Sequence, residues 1–290
     1  MASVLDLVGN TPMVEIRKLN PNPNVHMYAK LEGDNPGGSV KDRPALNMIR
    51  SALERGDIKP GTKLIEATSG NTGIALAMIA RLFDLEIELI MPSTSTKERT
   101  LTMEAFGAKV TLLENIEKCR DYAEEKAAKG EYFILNQFSN PDNYKAHYKT
   151  TGPEIWRDTD QRITHFVSSM GTTGTIMGCS RFFKEKDPSI QIIGCQPTEE
   201  SSIPGIRRWP KEYLPKIFEP ERVDRVMDVS QKEATEMARK LAKVEAIFAG
   251  MSSGGAAAAA IRLASEIETG VIVFIACDRG DRYLSSDLFG

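Results

Sequence analysis

Lys63-Leu64-Ile65-Glu66-Ala67-Thr68-Ser69-Gly70-Asn71-Thr72-Gly73 passes from a short apolar run into a junction of Gly, Ser and Thr. Residues 74–83 then continue as an apolar, alanine-containing stretch. A short run closed by turn residues predicts a strand over Lys63–Ala67, and the longer stretch predicts a helix. The same alternation recurs along the chain. Strands are expected at 86–91, 108–113, 163–169 and 189–196, and helices at 96–106, Ile116–Ala128 and 176–186. After a loop at 136–143 and an irregular, proline-rich stretch at 197–220, residues 233–244 read as helix and 246–251 as a short strand. Residues 256–267 read as an alanine-rich helix and 271–277 as a buried strand. Strands alternating with helices imply an α/β protein, a parallel sheet with helices on both faces.

With 290 residues the chain has room for two ordinary domains or one large α/β unit. Its 41% hydrophobic and 27% charged residues suit a soluble globular protein, and a net charge of -3 offers no pull toward nucleic acid or an anionic membrane. No signal peptide and no apolar run of membrane-spanning length is expected, and a cytoplasmic setting fits. Cys119, Cys179, Cys195 and Cys277 form no CxxC pair, and His26, His147 and His165 are scattered, so neither a metal site nor a disulfide framework is expected.

A second stretch carries chemistry. Asn35-Pro36-Gly37-Gly38-Ser39-Val40-Lys41-Asp42-Arg43 puts one lysine after a glycine-rich turn, beside a helix start. Burial or a helix N-terminus would make that amine nucleophilic. Ser39 and Asp42 also have the spacing of a capping box, in which case the lysine is merely solvated; Pro44, which lacks an N–H, would instead start the helix nearer itself. Three strand-to-helix junctions are rich in Gly, Ser and Thr: residues 68–73, 171–175 and 252–255. Each falls at the carboxyl end of an expected strand, the edge where open α/β sheets bind ligands and where helix N-termini favour anions. None meets the GxGxxG or Walker spacing, so dinucleotides and nucleoside triphosphates are disfavoured. A small phosphate, a second anion-friendly loop and a lysine are the parts a pyridoxal phosphate enzyme needs.

Ser39-Val40-Lys41-Asp42-Arg43, Thr68-Ser69-Gly70-Asn71-Thr72-Gly73, Gly171-Thr172-Thr173-Gly174-Thr175 and Ser252-Ser253-Gly254 closely resemble the cysteine synthase and cystathionine β-synthase family of fold-type II pyridoxal phosphate enzymes. Gly9-Asn10-Thr11-Pro12 and Gly280-Asp281-Arg282-Tyr283-Leu284-Ser285 match as well, so the resemblance spans nearly the whole chain in order. It implies two three-layer α/β/α domains of the tryptophan synthase β-like kind: residues 39–145 as a smaller substrate-binding domain, and 1–38 with 146–290 as the larger, phosphate-binding one.

The resemblance also implies roles. Lys41 would carry the Schiff base to pyridoxal 5'-phosphate and move the α-proton, and Asn71 would hydrogen-bond the cofactor's phenolic oxygen. Gly171, Thr172, Thr173, Gly174 and Thr175 would hold the phosphate, with Ser252 facing the pyridine nitrogen. Thr68, Ser69, Thr72 and Gln137 would grip the substrate carboxylate. The expected reaction is β-replacement through an α-aminoacrylate, turning O-acetyl-L-serine and sulfide or thiosulfate into L-cysteine or S-sulfocysteine plus acetate. Residues 201–210 and 277–282 look like the B-type branch, where Arg207 and Arg208 would receive an anionic nucleophile such as thiosulfate or an anionic donor such as O-phosphoserine. Cys277 reads as a buried, inert thiol. An O-phosphoserine sulfhydrylase, a cystathionine β-synthase-like enzyme, a serine or threonine dehydratase and a catalytically silent regulatory protein stand as alternatives. A homodimer is expected from the resemblance, with docking of serine acetyltransferase left open.

Overall fold

The structure, a computed structural model, describes residues 3–68 and 70–290. Ten strands are found among them: β1 (Met13–Glu15), β2 (Val25–Leu31), β3 (Lys63–Ala67), β4 (Glu86–Pro92), β5 (Lys109–Leu113), β6 (Phe133–Ile134), β7 (His165–Ser169), β8 (Gln191–Pro197), β9 (Arg225–Val229) and β10 (Gly270–Ala276). The helices are α1 (Asp42–Arg55), α2 (Asn71–Leu82), α3 (Lys97–Ala105), α4 (Ile116–Ala128), α5 (Pro141–Lys149), α6 (Thr151–Asp158), α7 (Gly174–Lys186), α8 (Gln231–Glu245) and α9 (Met251–Glu266).

Two sheets result. The larger runs β1-β2-β10-β7-β8-β9, parallel except where β1 pairs antiparallel with β2; the smaller runs β5-β4-β3-β6 and is parallel throughout. Apolar strand residues meet helices on both faces. Phe274 and Ile272 of β10 pack with the alanine face of α9, whereas Val273 and Ile275 turn to Ile176 and Phe183 of α7. In the smaller sheet Leu64 and Leu89 join Ile49 of α1 and Leu76 of α2, while Ile65 and Ile90 join Cys119 and Ala123 of α4. The period-two alternation of a strand thus buries both sides, as expected of parallel sheets. The molecule is a pair of three-layer α/β/α units.

Helix starts differ from the sequence reading. The expected strand at 246–251 is absent: Ala246 closes α8 in the left-handed region (φ 59), and only Ala249 makes an isolated bridge, to Arg279. Helix α9 begins at Met251, so Ser252 to Gly255 form its first turns. Poor helix formers are accepted there because space demands them, since a Cβ on Gly254 would collide with the Ala234 carbonyl of α8. The Ser39–Asp42 capping box does not form either. Helix α1 starts at Asp42 with Lys41 as its N-cap residue, Ser39 Oγ accepts the Lys41 N–H at 3.2 Å, and the Asp42 carboxylate accepts from Gly37 N–H. Pro44 lies in the first turn, where its missing N–H has no partner to lose.

Candidate active site

The carboxyl ends of β3, β4 and β7 converge on a cavity of about 350 Å³ between the two sheets. Lys41 is on its wall because the segment before α1 is laced to the end of β10. Val40 N–H donates to the Cys277 carbonyl at 2.8 Å, and Ser39 bridges Asp278. Burial lowers the Lys41 pKa, only partly opposed by Cys277 and Asp278, so the neutral amine is favoured. Among the described residues its Nζ has no hydrogen-bond partner. A nucleophile and proton carrier has to be free in this way.

Across the cavity stands the N-terminus of α7. Thr172 Oγ1 takes the Asn143 side-chain N–H at 3.2 Å and faces Gly174 N–H at 3.4 Å. Thr173 is left-handed (φ 68), and its buried hydroxyl has no partner among the described residues. Side chains at Gly171 or Gly174 would strike the Gly205 carbonyl or the Asn143 amide, so both positions require glycine. An orphaned hydroxyl at the start of a 13-residue helix fits a phosphate group. Thr175, the second residue of α7, lies 3.4 Å from His147 Nε2, and burial pushes that imidazole down to about 3.

Thr68, Thr72 and Gln137 are buried together. Thr68 Oγ1 accepts from Gly70 and Gly73 N–H, both at 3.2 Å, and Thr72 Oγ1 donates to Gln137 Oε1 at 2.8 Å. Ser69 lies outside the described residues. Under this group sits Glu66, whose carboxylate accepts the backbone N–H groups of Asn136 and Gln137 at 2.9 and 3.0 Å. Burial pushes its pKa up to about 7 although these donors favour the charged form. Asn71 opens α2 and lines the cavity, donating from Nδ2 to Asp278 Oδ2 at 2.7 Å. Ser252 is buried in the first turn of α9, beside Cys277 and behind Gly205, and burial pushes the Cys277 thiol up to about 12.

The two arginines part company. Arg207 lines the cavity, its guanidinium donates to the Ile206 carbonyl at 2.9 Å, and burial lowers its pKa. Arg208, expected beside it, turns the other way, because Asp228 of β9 pairs with it at 2.5 Å and the Pro197 carbonyl accepts from its Nε at 2.9 Å. Residues 197–220, which break the helix and strand alternation, supply Ser202, Pro204, Gly205 and Trp209 to the wall; Trp209 Nε1 donates to the Gly171 carbonyl at 2.7 Å. Sequence reasoning passed over Trp209, Phe138, Thr94, Ser95, Arg99 and Tyr283, all of them lining residues. Only the irregularity of 197–220 and the 280–285 motif hinted at any of them.

A family profile described as pyridoxal-phosphate dependent enzyme matches residues 4–278. The chain is 57% identical to cysteine synthase B of Pseudomonas aeruginosa, over 99% of this chain and 97% of that one. It is 55% identical to cysteine synthase B of Escherichia coli, over 100% and 97%. Among solved structures, O-ureido-L-serine synthase superposes with a TM-score of 0.94 at 34% identity, covering 100% of this chain and 95% of that one. A cysteine synthase of Entamoeba histolytica superposes with 0.93 at 37%, covering 100% and 90%.

Proposed function

The chain belongs to the pyridoxal-phosphate dependent enzymes, in the branch of the B-type cysteine synthases, and from that premise we propose that it replaces the β-substituent of O-acetyl-L-serine by sulfur, from sulfide or thiosulfate, to give L-cysteine or S-sulfocysteine. Pyridoxal phosphate is its cofactor, and when bound it supplies the electron sink for loss of the α-proton and the β-substituent.

The observation that carries the reading is the free, deprotonation-prone Lys41 amine facing the N-terminus of α7 across one cavity. The loop 171–175 binds and orients the phosphate through backbone N–H groups and the Thr173 hydroxyl. Lys41 Nζ would hold the cofactor and, as a free amine, would take and later return the substrate α-proton. The Thr68, Thr72 and Gln137 cluster, with Ser69, holds the substrate carboxylate, and Glu66 fixes Gln137 from below. Ser252 would present a neutral hydroxyl to the pyridine nitrogen, and a hydroxyl does not stabilise a protonated pyridinium as a carboxylate would. The half-buried Arg207 receives an anionic nucleophile, and Arg208, paired with Asp228, does not reach it.

Residues 39–145 form the substrate-binding part, inserted between 1–38 and 146–290. Leu101 and Leu284 are exposed on segments joined by the Ser285–Glu98 hydrogen bond, which supports a second copy of the chain as partner, to be checked by sedimentation. Among the described residues no helix is long and apolar enough to cross a membrane, in keeping with a cytoplasmic enzyme.

Product analysis tests the reaction. With O-acetylserine the holoenzyme should form cysteine when sulfide is added; pyruvate alone, with or without sulfide, would make it a dehydratase. Arg207→Ala should lower kcat/KM for thiosulfate about tenfold while sparing sulfide, as expected for loss of a hydrogen bond to a charged group. Arg208→Ala should change neither.

A further inference from the structure

Asn71 is gripped from two sides by one short segment. Its Oδ1 accepts from Arg282 Nη1 at 2.5 Å, and its Nδ2 donates to Asp278 Oδ2 at 2.7 Å. The two ends of an asparagine amide have nearly the same shape, so sterics alone leave its orientation undecided. Chemistry decides it here. A guanidinium only donates and a carboxylate only accepts, so the oxygen must face Arg282 and the nitrogen Asp278.

Both partners are held in turn. Asp278 Oδ2 also accepts the buried Tyr283 hydroxyl at 2.7 Å, and a side chain on Gly250 would displace the carboxylate. Arg282 Nη2 donates to the Gly37 carbonyl, four residues before Lys41. Gly38 must be glycine for this, since it is left-handed (φ +80) and a Cβ there would fall on the guanidinium.

We propose that Arg282 and Asp278 are positioning residues that lock the Asn71 amide, its oxygen on the guanidinium and its nitrogen on the carboxylate. Asp278 consumes one Nδ2 hydrogen, and the second remains to donate to the ring oxygen of pyridoxal phosphate. Without Arg282 the amide oxygen loses its donor, and Asp278 alone then holds the group, so its orientation toward the cofactor oxygen loosens. The inference rests on the reading that Asn71 bonds that oxygen.

The test is a double-mutant cycle on the full chain, read by the cofactor dissociation constant of the stripped protein and by the absorption band of the reloaded one. Asn71→Ala and Arg282→Met should each weaken cofactor binding about tenfold and shift the band, and the double variant should be no worse than either alone. Arg282→Lys, which keeps a donor, should restore most of the wild-type spectrum. If the two losses multiply to about a hundredfold, Arg282 acts through the Gly37 loop and the lock is wrong. Wild-type affinity and spectrum in Asn71→Ala would instead remove the reading of Asn71 itself. Should Arg282→Met not fold, Arg282→Leu, which likewise removes the donor, carries the same comparison.

Discussion

At the residue scale, burial moves the pKa of the Lys41 amine down and that of the Glu66 carboxyl up, each toward neutrality. For Lys41 the consequence is nucleophilicity. Lys41→Ala should cut turnover by about 10²- to 10⁴-fold. Borohydride followed by mass measurement should then fix the cofactor to the wild-type chain and not to the variant. For Glu66 the consequence is structural, because its oxygens accept the N–H groups of Asn136 and Gln137. Glu66→Gln would turn an NH₂ group on one of those donors, with a cost of about 1–3 kcal/mol in urea unfolding and a raised KM for the amino acid. Lys41 was singled out by the resemblance of several motifs to one family, its glycine-rich approach alone reading equally as a capped helix, whereas Glu66 sits in an ordinary-looking strand whose polar partners come from 70 residues away.

At the element scale, glycine and serine in residues 252–255 resembled a loop and proved to be the start of α9. Helix propensity lost to packing there, because α8 approaches so closely that only a hydrogen fits on Gly254. Gly254→Ala, favourable by propensity, should therefore destabilise by about 1–3 kcal/mol through overpacking, measurable as a lowered urea midpoint. Strand β2 was missed for a related reason. Its Lys30 is fully buried, paired with Glu154 at 2.9 Å and donating to the Thr11 carbonyl at 2.6 Å, so a lysine interrupts what is physically a core strand. Helices α5 and α6 escaped notice as well: both are short, and Pro141 and Pro153 punctuate them.

At the scale of the whole molecule, a buried ionic network ties the start of α1 to the larger sheet. Arg43 binds Glu32 and Glu154 at 2.7 Å each, with Lys30 on the far side of Glu154. Removing one member strands the others, so Glu154→Gln should cost about 3–5 kcal/mol. The network also shapes the response to acid. Burial opposes its ionisation, but Arg43 and Lys30 hold Glu154 at about 2, below the usual 4.5; its contribution is complete above pH 4.5 and lost as pH falls toward 2. His147 acts earlier. Its folded pKa of about 3 lies below the ordinary 6.5, so between those values the unfolded chain takes a proton that the folded one refuses, and stability falls as pH falls. Unfolding free energies at pH 7.5 and 5 should differ by about 2 kcal/mol less in His147→Gln than in wild type. The alternation of strands and helices was legible in the sequence alone, because it depends on neighbours within a few residues along the chain, whereas Lys41 and the loop 171–175 were singled out there by several motifs matching one family in order. The outward turn of Arg208, the early start of α9, the two-sided grip on Asn71 and the support of Gln137 by Glu66 were decided only in the tertiary structure. Each of these depends on a partner brought close by folding, and a hydrogen bond or a steric limit between distant segments leaves no periodic trace in either of them.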